Sequence, residues 1–496
     1  MFAANLVGPS IPWSHLVPLL ILLGGTCTLL LLGTLVPKWP SIGNVVLTVG
    51  SAVAAIIASA VKWNWLYSHK GSTYIADAIA VDRFSVFATV VICVAVAGAA
   101  LLMLSYLDRT DNEGPELYAL FLTSAIGAIV MVSANDMIVL FLGLETLSLS
   151  LYLLAASNRR REESQEAGLK YFVLGGFASA FFLYGIALVY GSTASTSLSG
   201  IATSLSSYVA LDTTDAMLLI GIGMLIIGLA FKVSAAPFQA WAPDVYEGAP
   251  TPVTSFMASA GKVAAFAAML RILTSGLSSR VDDWRPVVWA IAILTVFVGS
   301  TMAVVQTNVK RMLSYSSISH AGFILVGVEA AGHSGGNGLQ STMAYLAIYT
   351  VLVLGSFAIV LTLSGANDDL TSLDDFKGLA KRRPALALAF SVLLFAQAGV
   401  PFTSGFVAKF GVIKSAVEVD SYAIAIAAMV AAVIGAYLYL RIVVSMWLEE
   451  PTTTDELAIP KPVATVIIVA VAFTLVVGVF PSLLLDATEL VRFAPK

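Results

Sequence analysis

The sequence predicts an all-α polytopic membrane protein of about fourteen transmembrane helices, with two inverted five-helix repeats that each contain a discontinuous helix. Three observations carry that expectation. Hydrophobic residues make up 58% of the chain and charged residues 11%, and the mean hydropathy is +0.91, a balance that belongs to membrane proteins. Two apolar runs are too long for one straight crossing, and each contains proline and a lysine. Loops rich in Lys and Arg recur on one side of the alternating spans.

The first over-long run covers 213–245. It is apolar from Ala216 to Phe231, meets Lys232, then Pro237 and Pro243, and turns polar at Asp244 and Glu247. About 20 apolar residues cross a bilayer. A helix interrupted near its middle is therefore expected, because proline removes a donor and clashes with the preceding turn. Pro252 suits the first turn of the following span, which carries Lys262. A lysine at depth costs roughly 2.5–3.5 kcal/mol on insertion scales, so two of them beside a broken helix point to function.

Composition also excludes several classes. The net charge of −4 is spread over many loops, and no basic patch interleaved with aromatics suggests nucleic acid. The two cysteines, Cys27 and Cys93, stand alone in apolar runs and read as packing residues. Without a Cys/His cluster or a glycine-rich nucleotide loop, no metal or cofactor site is expected in this chain, and any redox chemistry belongs to other chains. The first residues, MFAANLVGPSIPWSH, lack a basic region and a cleavage motif, so the first apolar run is expected to be retained as a helix.

In chain order, hydropathy places spans at 16–36, 43–62, 85–106, 117–134, 136–156 and 168–190. The interrupted 213–245 follows, then 252–274, 286–305, 310–330 and 340–363. A second interrupted run at 386–418 has Gly399 and Pro401 at its break and Lys409 beyond it, and spans at 421–446 and 461–485 complete the set. The expected organisation is three N-terminal helices over 1–110, a first repeat over 117–275, a second over 286–446, and a last helix and tail over 461–496. A unit with an odd number of spans reverses its topology when repeated, and inverted repeats with broken helices mark a transport pathway at mid-membrane. Arg159, Arg160 and Arg161, then Lys310 and Arg311, then Lys377, Lys381, Arg382 and Arg383 fall on one side, which is expected to be cytoplasmic with both termini outside. Arg280 and Arg285 are the exceptions on the other side.

Glu145 lies nine residues after Asp136, roughly 14 Å into the layer at 1.5 Å per residue. An unpaired carboxylate there would take up a proton, whereas a nearby lysine would keep it charged. Lys232 is its expected partner and Lys170 a second candidate. Lys232, Lys262 and Lys409 are expected to form a chain of amines at similar depth, and an amine whose partner moves can load and release a proton. His320, among Tyr315, Ser316, Ser317 and Ser319, could hand protons between lysines, with Tyr345 and Tyr349 extending the line. The plainer alternatives are a helix-locking ion pair for Glu145 and Lys232, a snorkelling side chain for Lys170, and an interhelical hydrogen bond for His320. Asp136 reads as a helix-start residue.

The stretch KVSAAPFQAWAPDVYEGAPTPVTSFMASAGKVAAF, with GLETLSLSLYLLAA, YSSISHAGF and AGVPFTSGFVAKF, resembles the N subunit of bacterial proton-translocating NADH:quinone oxidoreductase, respiratory complex I. The resemblance spans nearly the whole chain. It implies an antiporter-like fold in which Glu145 and Lys232 form a charge pair, Lys262 is the central lysine and Lys409 the terminal one. The family's proline-proline at the second break is Pro401-Phe402 here, and no long lateral helix follows the last span.

Protons carried outward, driven by quinone reduction elsewhere, are the function this resemblance implies. It also implies a bacterial inner-membrane location, flanking antiporter-like and small membrane-arm subunits as partners, and NADH, FMN, iron–sulfur clusters and quinone in partner chains. The alternatives are a subunit of a multi-subunit sodium/proton antiporter and a non-conducting structural member of the membrane arm.

Overall fold

The computed structural model describes residues 11–36, 39–110, 114–206, 213–365, 368–452 and 458–494. Three helices lead, α1 (Val17–Leu35), α2 (Ser41–Ser68) and α3 (Arg83–Thr110), with a hairpin of β1 (Ser72–Tyr74) and β2 (Ile79–Val81) before the third. Then come α4 (Pro115–Ser133), α5 (Met137–Ala155), α6 (Glu162–Thr193), the short α7 (Leu198–Ser206), α8 (Thr213–Lys232) and α9 (Trp241–Gly248). The next span is one helix locally widened, α10 (Thr251–Phe256), a π-turn at Met257–Gly261, α11 (Lys262–Arg271) and a second π-turn at Ile272–Gly276. The second half holds α12 (Val281–Val304), α13 (Val309–Ala330), α14 (Gly338–Leu363), the single turn α15 (Leu379–Arg382), α16 (Pro384–Ala398) and α17 (Ser404–Glu418). Last are α18 (Tyr422–Leu448), α19 (Lys461–Val479) and the short α20 (Ser482–Glu489).

Among the described residues, twelve helical stretches are long and apolar enough to cross a membrane. The more polar α13 and the divided pair α16–α17 coincide with the two remaining expected spans, so every span expected from hydropathy is present as helix. The first apolar run forms α1. Both interrupted runs are broken helices, α8–α9 and α16–α17.

The two halves pack alike. In α4 and α5 the backbones approach at Gly127 and Gly143, where a methyl on Gly143 would come within 2.7 Å of the Met131 nitrogen. In α12 and α13 the same closeness occurs at Gly299 and Gly322, and a methyl on Gly322 would lie 2.6 Å from the Val296 nitrogen. Close backbone approach through small residues is how membrane helices gain packing contacts when lipid is as apolar as leucine. Gly299→Val places branched carbons against the Ser319 backbone, next to His320. The substitution is expected to destabilise by about 1–3 kcal/mol or more, read as a lower yield of assembled complex and a lower melting temperature.

Each end of the bundle is tied by polar contacts. At the end bearing the basic loops, Arg311 bonds Asp244 and Glu247 at 2.8 and 2.9 Å, Lys377 bonds Glu449 at 3.0 Å, and Arg441 donates to the Gln306 carbonyl at 2.8 Å. At the opposite end the β1–β2 turn docks onto α7, with Ser197 and Ser199 donating to Asp77 at 2.6 and 2.5 Å. Desolvation pushes the Asp77 pKa up, but hydrogen bonds from Ser197, Ser199, Thr73 and Asn135 outweigh it and hold it below the usual carboxylate value. Arg280, an exception to the charge pattern, is balanced there by Asp215 and Asp283, each at 2.5 Å.

Candidate functional site

The site begins where α8 stops. Ser234 takes a left-handed conformation, φ 60°, and the Ala235 N–H reaches back to the Ala230 carbonyl at 2.8 Å. This is a Schellman-type ending. The indole of Trp241, the first residue of α9, donates across the break to the Phe231 carbonyl at 3.0 Å, and the Ala236 N–H is taken by Thr295 Oγ1 at 3.0 Å. Groups that a helix end leaves unpaired are thereby satisfied inside the protein. Pro237 lies in the break, but Pro243 lies in the first turn of α9, where a missing N–H is tolerated. The interruption expected near the middle of the run falls at Pro237.

The second break repeats the design. Gly399 ends α16 at φ 93°, and the Val400 N–H reaches back to the Phe395 carbonyl at 3.0 Å. Lys409 supplies the crossing bond, its ammonium donating to the Ala398 carbonyl at 3.0 Å. A cation at the carboxyl end of a half-helix is favoured by the dipole. Phe402 has φ 65°, which proline cannot adopt, so the departure from proline-proline is matched by a different backbone at this turn.

Lys232, Lys262 and Lys409 are all buried, at 8%, 1% and 7% exposure, so none faces lipid. Lys232 donates to Ser148 Oγ at 2.6 Å and lies 3.4 Å from the Tyr152 hydroxyl, near the faces of Tyr152 and Tyr171. Glu145, the ninth residue of α5, accepts instead from Ser179 Oγ at 2.5 Å. The expected direct contact between Glu145 and Lys232 is therefore not formed among the described residues. The reason is local, since Ser148 and Tyr152 lie one and two turns beyond Glu145 on the same helix and offer the ammonium oxygens first.

Lys170, the second candidate partner, is not paired with Glu145 either. It is 39% exposed and pairs with Glu166 at 2.6 Å and Asp244 at 2.9 Å. Its stem carries the charge back to the end of α6, the snorkelling alternative. Asp136 caps α5, accepting from the Ile138 and Val139 nitrogens at 2.8 and 3.1 Å.

Lys262 follows directly on the π-turn at Met257–Gly261, a distortion found often at functional sites. Its ammonium donates to the Ser317 carbonyl and lies over the Tyr349 ring. Three residues further along α13, His320 bonds Tyr345 through Nδ1 at 2.7 Å and Tyr439 through Nε2 at 3.2 Å. Tyr439 bonds Ser316 at 2.6 Å, Ser316 reaches Gln397 at 3.3 Å, and Gln397 donates to Ser356 at 2.7 Å. Lys409 lies 4.7 Å over the Phe323 ring, one turn past His320. A hydrogen-bonded polar cluster of Tyr345, His320, Tyr439, Ser316, Gln397 and Ser356 thus lies between Lys262, which meets the Ser317 carbonyl, and Lys409, which meets the Ala398 carbonyl next to Gln397. No hydrogen-bonded link joins Lys232 to Lys262 among the described residues, so the single row expected from the sequence resolves into two groups.

Two buried ion pairs escaped the sequence reading. Lys310, counted there as a loop cation, is 0% exposed and bonds Asp368 at 3.0 Å and the Ala249 carbonyl at 2.8 Å. Asp368 in turn accepts from Thr251 N and Oγ1 at 3.0 and 2.6 Å, which seats the start of the helix carrying Lys262. Arg271 forms a two-pronged pair with Asp82 at 2.8 and 3.0 Å. Arg271 was visible as a charge inside an apolar span, whereas nothing in the sequence signals that a loop lysine folds inward.

With this geometry in view, the comparisons with known proteins are informative. The profile of the family described as NADH:quinone oxidoreductase/Mrp antiporter, TM, matches residues 134–435. NADH-quinone oxidoreductase subunit N of Mycobacterium tuberculosis is 39% identical, covering 98% of both chains. A chain of respiratory complex I from Thermus thermophilus superposes with a TM-score of 0.81 at 30% identity, over 96% of this chain and 100% of that one. A chain of the Mrp complex from Dietzia sp. gives 0.85 at 19% identity over 97% of each, which speaks to fold alone. Two broken helices, buried lysines at and between the breaks, and identity along almost the whole length agree, and the chain belongs to the NADH-quinone oxidoreductase subunit N family.

Proposed function

We propose that this chain carries protons across the membrane as a membrane-arm subunit of an NADH:quinone oxidoreductase. The single observation that supports this best is the buried cluster of His320, Tyr345 and Tyr439 set between the buried lysines Lys262 and Lys409. Its members are proton-titratable or hydroxylic, and they are buried. Ionisable groups held at membrane depth by their neighbours are characteristic of proton paths.

In this reading Glu145 and Lys232 act as a gate. Lys232 rests on Ser148, one turn from Glu145, so a side-chain rotation exchanges the hydroxyl for the carboxylate. Closing the pair holds the ammonium charged, and opening it frees the charge to act on Lys262, which passes its proton along α13 to Lys409. Lys170 and the paired Asp244, Arg311 and Glu247 hold α9 against α13 and act as positioning groups. The basic loops face the cytoplasm, both termini lie outside, and the units 117–275 and 286–446 are the inverted repeats. NADH, FMN, iron–sulfur clusters and quinone reside in partner subunits, and flanking membrane-arm subunits of the inner membrane relay the driving force.

Inverted membrane vesicles test this reading. NADH oxidation should drive proton uptake, and a quinone-site inhibitor should stop both. Lys232→Met is expected to cut uptake roughly tenfold or more while the complex still assembles. Unchanged uptake per NADH in that variant would favour a scaffold role, and uptake driven by a sodium gradient but indifferent to the inhibitor would favour an antiporter.

A further inference from the structure

The end opposite the basic loops holds a carboxyl group with no evident structural purpose. Glu329 is the next-to-last residue of α13 and is 2% exposed. Its Oε1 accepts from Ser421 Oγ at 3.2 Å and lies 3.2 Å from His333 Nε2, while Oε2 is buried with no partner among the described residues. A carboxylate at the carboxyl end of a helix opposes the dipole, and a buried oxygen left unpaired adds a further cost. Capping would favour a cation here. His333, whose side chain is 21% exposed, joins this carboxyl to the surface.

Glu329 also lies along the line that leaves Lys409. α13 and α17 run side by side: Lys409 covers Phe323, and a methyl on Gly327 would meet Val412 at 3.0 Å. Beyond Val412, Ser415 bonds Ser341 through their hydroxyls at 2.7 Å, and just past the end of α17 Ser421 reaches Glu329. Charged groups close by are engaged at the rim: Glu418 with Lys414 at 3.5 Å and Asn337 at 3.3 Å, and Asp420 with the Tyr422 hydroxyl at 2.6 Å.

We propose that Glu329, backed by His333, is the terminal proton acceptor of this chain, taking the proton that Lys409 releases and passing it to water at the end opposite the basic loops. The proposal rests on the lysine pathway proposed above. One proton leaves the Lys409 ammonium, the Glu329 carboxylate becomes a carboxylic acid, and the acid returns to carboxylate as the proton passes to bulk water. Nothing is oxidised or reduced in this step.

The test uses the assembled complex in inverted vesicles with Glu329→Gln, Glu329→Asp and Lys409→Met. Glutamine keeps an oxygen for Ser421 and His333 but carries no titratable proton. E329Q is expected to lower NADH-driven proton uptake roughly tenfold or more, E329D to recover most of it, and NADH oxidation by a soluble electron acceptor to stay unchanged in both. Full uptake in E329Q alongside lost uptake in K409M overturns the proposal and leaves the lysine pathway standing. Full uptake in both overturns the pathway itself. Should E329Q fail to co-purify with its partners, His333→Gln carries the test, with a smaller loss of about threefold expected and wild-type uptake counting against the proposal.

Discussion

Replacing Lys262 by methionine is expected to stop proton uptake through this chain, lowering it roughly 100-fold, while the complex still assembles. Methionine fills a similar volume, so the loss of packing is small. What disappears is the ammonium on the Ser317 carbonyl, the entry to the His320 cluster. Lys262→Arg sharpens the experiment, because arginine keeps the charge and the donors but does not release a proton in proteins. If Lys262 works by losing its proton, K262R is as inactive as K262M. Proton uptake by inverted vesicles, normalised to the amount of assembled complex, measures both. Normal uptake in K262R would mean that a fixed charge suffices and that protons travel by another route.

Arg271→Ala is expected to cost about 3–5 kcal/mol of stability, the penalty for leaving one member of a buried pair without its partner. Arg271 donates twice to Asp82 and once to the Val132 carbonyl at 3.1 Å, and it lies against the rings of Phe84 and Phe493, which touch each other. Asp82 also accepts from the Ser85 and Ala494 nitrogens, at 2.8 and 3.0 Å. One ion pair therefore joins the start of α3, the end of α4, the helix bearing Lys262 and the last described residues of the chain. Thermal unfolding of the purified complex measures the loss. A combined change of Arg271→Met with Asp82→Leu should recover part of it, since an apolar pair of similar volume can replace a buried ion pair. A melting temperature unmoved by R271A would show that the pair only ornaments contacts made by the apolar surroundings.

Much of this site was legible because charge is rare in an apolar sequence. Lys232, Lys262 and Lys409 stand out against their runs, and Pro237 and Gly399 mark the breaks beside two of them. His320 with Tyr345 was foreseen from a polar segment, and the two do bond. Gln397 and Tyr439 were not, because a glutamine or tyrosine in a span carries no signal until its partners across the bundle are known. Lys170 misled for the opposite reason. It was offered as a second partner for Glu145, yet its four-carbon stem carries the charge to Asp244, the snorkelling alternative.

By itself the sequence determined the span count, the two breaks, the family and the residue types available for proton chemistry, because hydropathy and helix-breaking residues act locally along the chain. Tertiary structure alone decided who meets whom: Lys232 on Ser148 rather than Glu145, Lys310 inside rather than in solvent, Glu329 beside His333. The physical reason is that a buried ammonium or carboxylate takes the nearest oxygen or donor that neighbouring helices present. Which groups those are depends on helix rotation and crossing, which no one stretch of sequence encodes.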